Sequence, residues 1–190
     1  MFRLAIFMDG GYLDAVLLNE SAGAKISYDR FAEEVASLIR PDIDLLRTYY
    51  YHCLPWKSPQ PTPEESSRFG SMQKFIATLD KLPRFEVRQG KLARRRDRAG
   101  GYYFQQKGVD VLMSIDLVKL SVGKHITHAA LMTGDSDFVP AVEEARHAGV
   151  SVRLVHGQRP HNELWTVADE RVLVTTELID RVRWIQYSGD

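Results

Sequence analysis

Short apolar, β-prone runs and helical patterns take turns along this chain, and few folds accept that order. Leu4–Met8, Asp44–Pro55, Arg84–Leu92, Ala129–Met132, Val150–Val155 and Val172–Val174 read as strands. Tyr28–Ile39 reads as a helix, with Phe31, Val35, Leu38 and Ile39 at helical spacing and Pro41 to stop it. Glu64–Lys81 carries Phe69, Met72, Phe75, Ile76 and Leu79 at the same spacing, and Gly108–Ser121 reads as a third helix. A fourth follows "GDSDF" and ends at Gly149, and a last one is expected over Glu177–Ile185. "RPHNELW" reads as a turn entering a short helix capped by Asn162. The expected fold is α/β, a mostly parallel central sheet covered by helices on both faces. Ligands of such sheets bind outside the carboxyl ends of the strands, near a switch in strand order.

The chain has 190 residues, enough for one full core, and a single domain over 1–190 is expected. Its formal net charge is zero, so nucleic-acid binding would require a local patch. Cys53 is the sole cysteine, which excludes an internal disulfide and a cysteine-based zinc site and fits a reducing compartment. No apolar run approaches the ~20 residues of a membrane span, and "FRLAIFMDGG" turns acidic too soon for a signal peptide. A cytoplasmic protein is the expectation.

The chemistry gathers at strand ends. Asp9 closes the first strand, Asp135 follows the strand Ala129–Met132, and Asp137 stands two residues further on. Asp110 opens the helix after the third strand and falls on the same edge. Each acid has a local explanation: Asp9 suits an Asx-turn, Asp110 a helix N-terminus, Asp137 an N-cap. Together they conflict, because like charges ~4 Å apart repel by about 4 kcal/mol at an effective dielectric of ~20. A hard divalent cation removes that conflict, and oxygen-only ligands suit Mg²⁺ or Mn²⁺. Thr133 and Ser136 flank Asp135 with hydroxyls that can orient a carboxylate or a phosphate, or bond the local backbone. Asp116 lies about 120° around the helix and ~9 Å along it from Asp110, which suits a supporting or structural role rather than metal contact.

"IFMDGGYL", "QKGVDVLMSIDLVKL" and "LMTGDSDFVPAVEEARHAGVSVRLV" resemble the NYN domains, specifically the LabA-like (DUF88) branch of the PIN-like nuclease superfamily. The resemblance implies a PIN-like, Rossmann-like three-layer α/β/α sandwich and metal-dependent hydrolysis of phosphodiesters, usually in RNA. It maps the family's acids onto Asp9, Asp110, Asp135 and Asp137. Tyr12 stands where many NYN domains carry Asn, and Gly11-Tyr12 is common in the LabA-like branch.

One stretch offers a substrate surface. "KLARRRDRAGGYYFQQK" sets Arg94, Arg95, Arg96, Arg98 and Lys107 against one acid and adds Tyr102, Tyr103 and Phe104. Basic groups hold phosphates without reading sequence, and aromatics stack unpaired bases. Read as a loop from the third strand into Gly108-Val109-Asp110, it would overhang the acids and favour single-stranded RNA. The other reading is a solvated loop whose aromatics pack on the core. Pro55–Pro63 forms a second loop at that edge, a lid or a partner surface. His125, His128, His156 and His161 lack the spacing of a zinc site. The leading function is a Mg²⁺- or Mn²⁺-dependent endoribonuclease. The alternative is a weakly active or inactive regulatory module binding RNA, a nucleotide or a protein partner. A phosphatase using Asp9 as nucleophile ranks last, since Gly11 occupies the place of a second Asp. A homodimer is left open.

Overall fold

The computed structural model describes residues 1–96 and 101–184, without the side chains at 92–96 and 102–107. Strands β1 (Arg3–Asp9), β2 (Asp44–Cys53), β3 (Phe85–Arg96), β4 (Tyr102–Lys107), β5 (His128–Met132), β6 (Ser151–His156) and β7 (Glu170–Leu173) form one sheet, in the order β4-β3-β2-β1-β5-β6-β7. Six of these strands run parallel, and β4 alone pairs antiparallel, on the outer side of β3. β1 sits at the centre, and Leu4 through Met8 are all buried, as a strand covered on both faces demands.

Helices cover the sheet on both sides. One hydrophobic cluster joins the sheet to α1 (Gly10–Ser21), α2 (Tyr28–Ile39), the end of α3 (Pro63–Leu79) and α7 (Thr176–Arg181). The second lies under α4 (Val109–Val122), α5 (Val139–His147) and α6 (Asn162–Val167). The result is the expected three-layer α/β/α sandwich. Alternation along β2 decides which residue meets which layer: Tyr50 faces the first cluster, Tyr49, Tyr51 and Cys53 the second.

Several elements depart from the expectation. α1 was not anticipated, because it opens on two glycines and shows no clean apolar stripe: Leu13, Val16 and Leu17 are buried while Leu18 is exposed. Asp9 makes the helix, its Oδ1 accepting from the backbone N–H of Gly11 at 2.9 Å and of Tyr12 at 3.3 Å. The basic stretch expected as a loop is strand through Arg96, and Tyr102–Lys107 returns antiparallel to it. Its polar composition masked the pairing, since an edge strand need bury little. The last helix ends at Arg181, where Val182 caps it, and Asn162 is the first residue of α6, with His161 as its N-cap. At the proline loop, Pro63 starts α3 behind a reciprocal Thr62–Glu65 capping box.

Candidate active site

The switch in strand order falls between β1 and β5, where Met8 pairs with Met132. β1 connects outward to β2 on one side, and β5 continues to β6 on the other, so a crevice opens above their carboxyl ends. Asp9 is the last residue of β1, and Asp135 follows Met132 by three residues. Both therefore rim the crevice.

Asp135, rather than Asp137, is the local N-cap. Its Oδ1 accepts the backbone N–H of Asp137 at 2.9 Å and starts a single 3₁₀ turn, Ser136–Phe138, which leads into α5 with Pro140 in its first turn. The buried Thr133 accepts the N–H of Asp135 through Oγ1 at 3.3 Å, so it orients the loop that carries the acid. Ser136 lies in that turn, half-buried. Gly108, with φ of 85°, makes the left-handed bend by which β4 enters α4. Asp110 is thereby placed in the first turn of α4, at the same edge.

Electrostatics ties the four acids together. Asp110 is held above the ordinary carboxylate range by burial first, and then by the charges of Asp135, Asp9 and Asp137. Asp9 is raised by burial and by Asp135, against the pull of its two backbone donors and of His52. Asp110 thus feels the other three acids and Asp9 feels Asp135, and among the described residues none of the influences given for Asp110 is a cation. Asp9 and Asp135 each commit Oδ1 to a cap, and no cap bond engages Oδ2. Among the described residues, no three His, Cys, Asp or Glu side chains are gathered as tightly as a bound metal would hold them. The oxygen-only donors of the four acids are of the kind that hard divalent cations take.

Asp116 stands apart from this group. It faces the sheet, where the hydroxyl of Tyr51 donates to its Oδ2 at 2.9 Å and Arg88 approaches the same oxygen to 3.2 Å. His156 is likewise turned away: it is buried, Nδ1 lies 2.7 Å from the Gly157 carbonyl, and its ring packs edge-on against Trp165. Arg94, Arg95, Arg96, Tyr102, Tyr103 and Lys107 lie on the paired strands β3 and β4, but their side chains are outside the described residues, as is Arg98 entirely.

Tyr12 closes one side of the crevice. Its ring packs on Gly134, where an added Cβ would come within 2.8 Å of the Tyr12 Cε2. The Tyr12 hydroxyl accepts the N–H of Gly157 at 3.4 Å, so one side chain links the start of α1 to the loops after β5 and β6. Two further residues near Asp9 escaped the sequence reading, His52 and Asp14. His52 is the last residue but one of β2 and follows Tyr51, the partner of Asp9 in the register. Burial lowers the affinity of His52 for a proton, while the charges of Asp14 and Asp9 oppose that shift. Its place at the carboxyl end of a parallel strand was the signal available, the same one that singled out Asp9.

Comparison with known proteins agrees with this architecture. The NYN domain family model matches residues 3–175. A crystal structure of a protein of unknown function from Vibrio parahaemolyticus superposes with a TM-score of 0.59 at 18% identity, covering 93% of this chain and 94% of that one. That likeness shows a shared fold. MurG of Acinetobacter baumannii overlaps at a TM-score of 0.42 and 11% identity, over 92% of this chain and 46% of that one. A Burkholderia thailandensis nucleoside kinase in complex with inosine overlaps at a TM-score of 0.35 and 12% identity, over 95% of this chain and 67% of that one. No curated protein matches the chain in sequence.

Proposed function

This chain belongs to the NYN domain family, and from that premise we propose that it is a divalent-metal-dependent endoribonuclease of the LabA-like branch, acting as one domain on single-stranded RNA. Membership supports a nuclease kind of function. The observation that carries the finer reading is the environment of Asp110, whose carboxylate is flanked by Asp135, Asp9 and Asp137 at the switch point of a parallel sheet. A fold gains no stability from mutual repulsion of that kind, so a positively charged partner is the physical reason to keep it.

Asp9, Asp110, Asp135 and Asp137 would hold Mg²⁺ or Mn²⁺. When bound, the ion supplies an activated water and offsets charge on the phosphoryl oxygens. The chain's own residues supply position. Asp9 and Asp135 are fixed by the backbone groups they cap, so their free oxygens are held in place by the starts of α1 and of the 3₁₀ turn. Thr133 keeps the Asp135 loop in register, and Tyr12 shuts the α1 side of the crevice. Substrate then approaches across the top of the sheet from the β3–β4 side, where Arg94, Arg95, Arg96, Arg98 and Lys107 would hold phosphates and Tyr102 and Tyr103 would stack bases. No helix among the described residues is long and apolar enough to cross a membrane, and a cytoplasmic protein, as a monomer or a homodimer, fits this reading.

The test is cleavage of mixed single-stranded RNA and DNA with Mn²⁺, beside Asp135→Asn and a chelator control. Wild type is expected to cut RNA, with the substitution lowering the rate by about 10²-fold or more and chelation abolishing it. Inert wild type, or a mutant that cuts equally well, replaces the enzyme with a regulatory module that binds RNA, a nucleotide or a protein through the same edge.

A further inference from the structure

His52 packs beside the Tyr50 ring, but that contact does not account for its buried ring nitrogen. Its Nδ1 is buried and takes no hydrogen bond. That nitrogen lies against the backbone that follows Asp9, 2.9 Å from where a Cβ on Gly10 would stand. A buried polar atom without a partner costs stability, so a residue kept for volume alone would be better as leucine. The ring as a whole is only half-buried. With Nδ1 sealed against Gly10 as an unpaired acceptor, the ring proton belongs on Nε2, and the ring's hydrogen-bonding capacity rests there.

The surroundings say what such a donor is for. His52 feels Asp14 and Asp9, one from α1 and one from the end of β1. Of the side chains that act on Asp9, His52 opposes the upward shift and Asp135 adds to it. A phosphodiester brought to a cluster of carboxylates meets repulsion wherever no cation stands, and it needs hydrogen-bond donors fixed beside those carboxylates. Tyr50 presses on the same glycine from two residues before His52 on the same strand face, so the ring has a firm wall behind it.

We propose that His52 is a substrate-contacting residue, its Nε2–H donating to a non-bridging oxygen of the phosphodiester seated at Asp9. The proposal rests on the nuclease reading only for the identity of the substrate, and its prediction is one of affinity. It places a phosphate contact on the β2 side of the crevice, on the α1 face of the sheet, away from the basic β3–β4 strands.

The experiment compares wild type with His52→Leu, which keeps volume and removes the donor, and His52→Gln, which keeps an N–H. The dissociation constant of a fluorescein-labelled single-stranded oligoribonucleotide is measured by anisotropy with Ca²⁺, and kcat and KM for its cleavage with Mn²⁺. His52→Leu is expected to raise the dissociation constant and KM together by about tenfold, the loss of one charge-assisted bond. His52→Gln is expected to recover most of that loss, and the melting temperature of either variant should not fall. Equal affinity for wild type and His52→Leu overturns the proposal, as does a glutamine variant no better than the leucine one. RNA bound through His52 but never cut would leave the proposal standing and sink the nuclease reading. Cutting with an affinity indifferent to His52 would do the reverse.

Discussion

Asp110 and Asp116 lie on one helix, six residues apart, and live under opposite physics. Asp116 is nearly enclosed, with 15% of its side chain exposed, and it is satisfied: Tyr51 donates to it and Arg88 stands 3.2 Å away. Asp110 is half-buried among Asp135, Asp9 and Asp137, and every influence on it from the described residues disfavours its charge. The first acid ties α4 to β2 and β3. The second carries a charge that its burial and its acidic neighbours disfavour. A paired acid of this kind is a candidate for stability, and a repelled one is a candidate for function.

Removing each acid should separate the two roles. Asp116→Ala leaves the buried Tyr51 hydroxyl without its acceptor and Arg88 without one of its two carboxylate partners, a loss of about 2–3 kcal/mol. In a chain of this size that lowers Tm by about 4–12 °C. Cleavage by the folded fraction should be unchanged, and a lost activity with unchanged Tm would erase the contrast between the two acids.

Gly134→Ala probes the crevice wall at the next level. The new methyl meets the Tyr12 ring, and forcing it in should cost about 1–2 kcal/mol. Thermal melts of the double variant Gly134→Ala, Tyr12→Ala should show most of that penalty gone. A penalty that survives Tyr12→Ala would mean that the ring is not what holds the Asp135 loop.

The smallest effect has the opposite sign. Asp110→Asn relieves repulsion and should raise Tm of the metal-free protein by about 1–3 °C near pH 7. The pH dependence follows from the direction of the shift. The folded state raises the pKa of Asp110 above its ordinary value of 3.8, so it binds the proton more tightly than the unfolded state does. Its favourable contribution is complete below the unfolded value and is lost as pH rises through the folded one. Wild type and Asp110→Asn should therefore melt alike well below pH 3.8, with the variant pulling ahead as pH rises. Added Mn²⁺ should reverse that order by binding wild type more tightly. A variant less stable than wild type at pH 7 without metal would show Asp110 to be a structural acid like Asp116.

Much of the fold was legible because it depends on local period. The buried run Leu4–Met8 and the helical spacing of Phe31, Val35 and Ile39 each declare their element without reference to the rest of the chain. α1 was illegible because its start is made by one hydrogen-bonding carboxylate, Asp9, rather than by a stripe of apolar residues. β4 was illegible because pairing with β3, a long-range event, turns a basic and aromatic tract into strand.

By itself the sequence determined the alternation of strands and helices, and the placement of Asp9, Asp110, Asp135 and Asp137 at element boundaries. Both follow from spacing along the chain. Only the tertiary structure decided that β1 and β5 lie side by side, so that these acids repel one another across one crevice, while Asp116 is neutralised by Arg88 beneath it. It alone brought His52 beside Asp9 and Tyr12 onto Gly134. Such pairings join residues far apart in the chain, and their energies depend on the burial and register that the folded sheet imposes.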